Sequence, residues 1–95
     1  MKTQRKVILL VDDEAIILSV LSVHVKSFLP QGLELLTASN GEEALNIARS
    51  LKESHDELIC VISDYMMYPM NGSILLGHLE DIFPESKKIM LTVKQ

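Results

Sequence analysis

Three short stretches carry the residues able to do chemistry. Asp12, Asp13 and Glu14 follow the run Val7 to Val11, Asp64 comes just after Leu58 to Ile62, and Thr92 follows Ile89 to Leu91. Each run is continuously apolar, without the alternation of a half-exposed strand, which is the pattern of strands covered on both faces in a parallel sheet. Parallel strands bring their carboxyl ends together, and open α/β sheets bind ligands in the crevice beyond those ends. Singly, each residue has a plainer reading: an Asp-Asp pair before a helix is commonly a cap, Asp64 a turn opener and Thr92 an ordinary strand residue. The joint spacing carries the argument. Asp12, Asp13 and Asp64 held close together raise one another's pKa unless they are protonated or neutralised. A hard divalent cation answers this, and Mg²⁺ suits a site of one or two carboxylates completed by water and phosphate oxygens. Ca²⁺ asks for more protein oxygens than these stretches offer.

The elements that must position these groups follow from periodicity. Ile17, Val20, Leu21, Val25 and Phe28 recur at spacings of three and four, which predicts a helix from Glu14 to Leu29 with those residues on its buried face. His24 then reads as a packed residue at the core edge, and Asp13 or Glu14 as the negative charge at the helix start. Pro30 and Gly32 end the helix. Leu33 to Ala38, interrupted by Glu34, reads as an edge strand. Asn40 and Gly41 turn into a helix from Glu42 to about Leu51, with Ala44, Leu45, Ala48 and Leu51 against the sheet. Lys52 to Glu57 is a polar connection. Gly72 to Phe83 reads as a third helix stopped by Pro84, and Lys87 to Val93 as the fourth strand. The order βαβαβαβ is that of a doubly wound sheet with helices on both faces. Met66, Met67 and Met70 read as loop packing, and His55 and His78 as surface residues.

Composition limits the function classes. The chain has 95 residues, 47% hydrophobic, 23% charged, with a net charge of -4, so it offers one small domain and no basic field for nucleic acid. Its one cysteine, Cys60, precludes an internal disulfide and reads as a buried small hydrophobe. Lys2, Arg5 and Lys6 precede an apolar run too short for a signal peptide, and no segment reaches membrane-spanning length. A cytoplasmic location is expected.

The segments VDDE (11 to 14), SDYMMYPMNG (63 to 72) and LT (91 to 92) resemble, in order and spacing, the signature of response-regulator receiver domains. The resemblance runs over essentially the whole chain. It implies a flavodoxin-like, doubly wound parallel sheet of strand order 2-1-3-4. It also implies a single receiver domain over residues 1–95 that lacks the fourth helix, fifth strand and fifth helix. By the same resemblance, a histidine kinase or histidine phosphotransfer protein of a two-component or phosphorelay system supplies a phosphoryl group to Asp64. Asp12, Asp13, Asp64 and the backbone carbonyl of Met66 hold Mg²⁺, and Thr92 hydrogen-bonds the phosphoryl group and acts as the conformational switch. Beyond Mg²⁺-assisted self-phosphorylation and autodephosphorylation, no enzymatic activity is implied.

Three features depart from the family's pattern. Pro69 stands one residue later than usual, behind Tyr68, which shifts a rigid φ constraint. Val93 follows the switch threonine where a small residue is common. The sequence ends at Gln95, before the lysine that the family carries at the end of its fifth strand. A sheet ending there has an exposed apolar edge at the fourth strand, through which self-association is expected. The alternative is a degenerate receiver that docks or dimerises without phosphorylation. A Mg²⁺-dependent phosphohydrolase using Asp64 as nucleophile lacks an evident general acid.

Overall fold

In a computed structural model, which describes residues 4–91, the four expected strands form one parallel sheet. β1 (Lys6–Val11) lies between β2 (Leu33–Ala38) and β3 (Glu57–Asp64), and β4 (Lys87–Leu91) flanks β3. The order β2-β1-β3-β4, with β2 at one edge, is the expected one. The crossovers are α1 (Ala15–Phe28), α2 (Gly41–Glu53) and α3 (Gly72–Ile82).

The core sits on one face of the sheet. Val7, Leu9 and Val11 of β1 and Val61 of β3 meet Ala44, Ala48 and Leu51 of α2 and Leu75 and Leu79 of α3. Leu51, Leu75 and Leu79 are fully buried, and each such side chain contributes roughly 1.5–3 kcal/mol relative to exposure. α1 contributes no fully buried residue, so the α2/α3 face dominates stability.

α1 lies on the other face, over β1 and β2, and here two expectations are corrected. Only Leu21 and Val25 of the expected stripe are half-buried; Ile17, Val20 and Phe28 are exposed, and so is His24. The stripe against the sheet is Leu18, Leu21, Ser22 and Val25, one residue round from the expected set. β3 is likewise covered on one side only. Cys60 and Ile62 are half-buried, because a single helix shields that face and does not extend over β3.

Arg5 ties the amino ends of the strands together. Its backbone N–H and Nε donate to Asp56 at 2.9 and 3.2 Å, and its Nη1 pairs with Glu34 at 3.1 Å. The polar connection before β3 thus contains a buried acid. His55 and His78 are on the surface as expected. His55 follows the C-cap Ser54 of α2 with φ 63°, the left-handed conformation in which glycine has no Cβ penalty. His55→Gly is expected to raise stability by about 0.5–1 kcal/mol, seen as a rise of several °C in Tm. An unchanged or lower Tm contradicts a strained αL residue at this position.

Candidate functional site

β1 pairs with β3 in parallel, and their register slips by one residue between Val7 and Ile8: Val7 faces Leu58, but Ile8 faces Cys60. The extra residue on β3 resets the two-residue alternation. Leu58, Val61 and Ser63 point to the α2/α3 core, whereas Cys60, Ile62 and Asp64 point to the α1 side. On β1, Val11 is in the core and Asp12, the next residue, turns the other way. The slip therefore puts Asp64 and Asp12 on the same side of the sheet. Asp12 and Asp13 lie in the connection from β1 to α1.

Asp12, Asp13 and Asp64 are brought together as the sequence predicted. One carboxylate oxygen from each lies within 4.8 Å of the others, with Asp12 buried, Asp64 half-buried and Asp13 exposed. Among the described residues none of the three forms an ion pair; the ion pairs lie at the opposite end, Arg5 with Asp56 and Glu34, and Lys88 with Glu80 at 2.7 Å. Burial, together with the nearby charges of Asp64 and Asp13, pushes the Asp12 carboxyl above its ordinary range, against the opposing hydrogen bond from Glu14 N–H at 2.9 Å. Glu14 stands at the N-cap of α1, as the sequence allowed, without a side-chain cap bond of its own, and its amide donates to Asp12.

The donor set fits a hard divalent cation. An octahedral ion with oxygens at 2.0–2.1 Å separates its own ligands by roughly 3–4 Å, so three carboxylates within 4.8 Å need only small rotations or one intervening water. Asp13 also lines a cleft of about 360 Å³ with Tyr65, Met66, Met67, Tyr68 and Asn71. Met66 is thus beside the acids, with an exposed side chain, while Met67 is buried in the core and Met70 packs on it. Thr92 and Val93 lie outside the described residues. Leu91, the residue before them, pairs with Asp64.

The loop from Tyr65 to Asn71 is pinned at its base. The Tyr65 carbonyl accepts from Met67 N–H and Gly72 N–H, both at 3.0 Å, and the Tyr68–Pro69 peptide is cis. Asn71 caps α3 by accepting from Ile74 N–H at 2.9 Å. Gly72 then passes so close to β3 that a Cβ would collide with the Asp64 carbonyl oxygen and stand 3.0 Å from Tyr65 Cα. The sequence shows the Asn-Gly start of this helix. The close approach and the β3 slip leave no sequence signal.

Comparison with known proteins agrees with this fold. The chain is 42% identical over 94 residues, 97% of its length, to the probable transcriptional regulator ycf27 of Porphyra purpurea, and spans 34% of that protein. It is similar to a response regulator receiver domain protein of Clostridium thermocellum, with a TM-score of 0.77 and 32% identity over 92% of this chain and 64% of that one. It is also similar to the signal receiver domain of an HD domain-containing protein of Pseudomonas fluorescens Pf-5, with a TM-score of 0.75 and 28% identity over 99% of this chain and 63% of that one. No protein-family model matches the chain.

Two outcomes test the site as built. Because Asp12 has a raised native pKa, the native state holds more protons than the unfolded one above the ordinary carboxylate range. Its contribution is favourable at low pH and lost as pH rises through the native value. Asp12→Asn is therefore expected to raise Tm by several °C at neutral pH without divalent ions, the gain shrinking below the ordinary carboxylate pKa. Gly72→Ala is expected to lower stability by about 1–3 kcal/mol, measured by urea unfolding, because backbone must move to admit the methyl group.

Proposed function

On the premise that this chain is a receiver-like domain of the response-regulator kind, in sequence and in fold, we propose that Asp64 accepts a phosphoryl group. The convergence of Asp12, Asp13 and Asp64 supports this reading most directly. The donor is a phosphohistidine of a histidine kinase or histidine phosphotransfer protein. An Asp64 oxygen attacks phosphorus, the P–N bond breaks, and the imidazole leaves with its electron pair, giving an acyl phosphate. Asp12, Asp13, Asp64 and the Met66 carbonyl would hold Mg²⁺, which when bound neutralises the acids and the developing phosphoryl charge.

The protein's own contribution is positioning. β3 and the pinned loop hold Asp64 beside the acidic pair, and Asp12 N–H, donating to Ala38 at 3.2 Å, fixes the end of β1. Thr92 is the proposed hydroxyl donor and switch. The role is signalling by a cytoplasmic protein rather than turnover of a separate substrate. A docking module without phosphorylation has no use for three converging carboxylates, so the acids weigh against it. Among the described residues no helix is long and apolar enough to cross a membrane.

The test is the intact mass of the chain after incubation with Mg²⁺ and a small acyl phosphate. A gain of one phosphoryl group, lost in Asp64→Asn and on removal of Mg²⁺, is expected. No gain in a folded chain, or an equal gain in Asp64→Asn, contradicts the proposal.

A further inference from the structure

Tyr68, which displaces Pro69 by one residue in the loop after Asp64, has no part in the core. It is 84% exposed and Met66 is 70% exposed, whereas Met67 between them is buried. The fold therefore gains little from the Tyr68 ring, and an aromatic side chain left in solvent beside a chemical site asks what it contacts there.

Tyr68 lines the cleft of about 360 Å³ together with Asp13, Tyr65, Met66, Met67 and Asn71. All of these residues come from the connections that follow β1 and β3. Asp13 joins the cleft to the acidic trio, since one of its carboxylate oxygens lies within 4.8 Å of those of Asp12 and Asp64. The walls are two phenol rings, two thioethers, an amide and one carboxylate, and among the described residues no basic side chain lines them. Such a lining disfavours an anion. It suits a flat cationic ring, which aromatic faces and sulfur hold by polarisation and the carboxylate by charge.

We propose that the cleft receives the imidazole ring of the phosphohistidine donor, with Tyr68 as its aromatic wall, so that Tyr68 makes the site prefer an aromatic leaving group over an acyl one. This rests on the reading that Asp64 accepts the phosphoryl group. In that transfer the Asp64 oxygen, phosphorus and leaving nitrogen stand in line, so the ring lies on the far side of phosphorus from Asp64, outward from buried Asp12. The Asp64 Oδ–P bond forms as the P–N bond breaks, and the electron pair of that bond stays on the ring nitrogen. A phosphorylated imidazole that carries a proton on its other nitrogen is a cationic ring, and it departs as neutral imidazole. Tyr68 therefore holds the ring more tightly before transfer than after it, which favours release of the spent donor. An acyl phosphate brings no ring to Tyr68 and releases a carboxylate, which Asp13 repels.

The full chain is given phosphoimidazole or acetyl phosphate at equal concentration with Mg²⁺, and the initial rate of Asp64 labelling is read by intact mass. The ratio of the two rates is expected to fall about fivefold in Tyr68→Leu, which keeps bulk and loses the ring, and to be retained in Tyr68→Phe, which keeps the ring. Because Tyr68 is exposed, neither change disturbs the core. An unchanged ratio in Tyr68→Leu while Asp64 is still labelled, or an equal fall in Tyr68→Phe, overturns this proposal and leaves phosphoryl transfer standing. No labelling of Asp64 by either donor overturns the transfer reading and this proposal with it.

Discussion

The parallel pairing of β1 with β3, with its one-residue slip, is the constraint on which the rest depends. Counted without the slip from Leu58, whose side chain is in the core, the alternation would carry Asp64 into the same core. A carboxylate there would be separated from water and from Asp12, at a cost that its neutralisation would only partly relieve. With the slip, Ser63 enters the core instead, and its hydroxyl is satisfied by the Asp64 carbonyl at 3.0 Å. Asp64 is freed to join Asp12 and Asp13. A backbone irregularity near the start of β3 thus sets which acids meet at its far end.

The two faces of the sheet divide the work. On one side, α2 and α3 lock β3 in place, and Gly72 holds the start of α3 against the Asp64 backbone. On the other, α1 follows the acidic pair and is held by half-buried contacts alone. The Asp64 side of the site is therefore firmly packed, while the Asp12–Asp13 side is joined to the less firmly packed helix. Such a division suits a site that must hold a carboxylate still and accommodate ions of changing charge around it. Burial of Asp12, added to by the nearby charges of Asp64 and Asp13, is a local instability that the surrounding fold overcomes.

Much of this was legible in the sequence because the strands are continuous apolar runs that end in acids. Strand order and the meeting of Asp12, Asp13 and Asp64 followed from that pattern and from the resemblance it supported. Facing was harder to read. In α1, Ile16, Ile17, Leu18, Val20, Leu21, Val23 and Val25 leave almost no polar side, so periodicity selects the buried stripe poorly, and Ile17, Val20 and His24 were placed wrongly. The run from Leu58 to Ile62 hides the slip for the same reason, since a strand with no alternation shows no break in it. The Arg5–Asp56 pair joins residues far apart in sequence and carries no local signal.

The central claim is that two carboxylates from the connection after β1 and one from the end of β3 form one cation site. Backbone amide NMR during a Mn²⁺ titration tests it most directly, because the paramagnetic ion broadens the signals nearest to it. The account predicts that amides around Asp12 to Glu14 and around Asp64 to Met66 broaden together at the lowest ion concentrations, and that Asp64→Asn abolishes both effects. Broadening that begins instead at exposed acids such as Glu42, Glu43 or Glu53, or that is unchanged in Asp64→Asn, would contradict it.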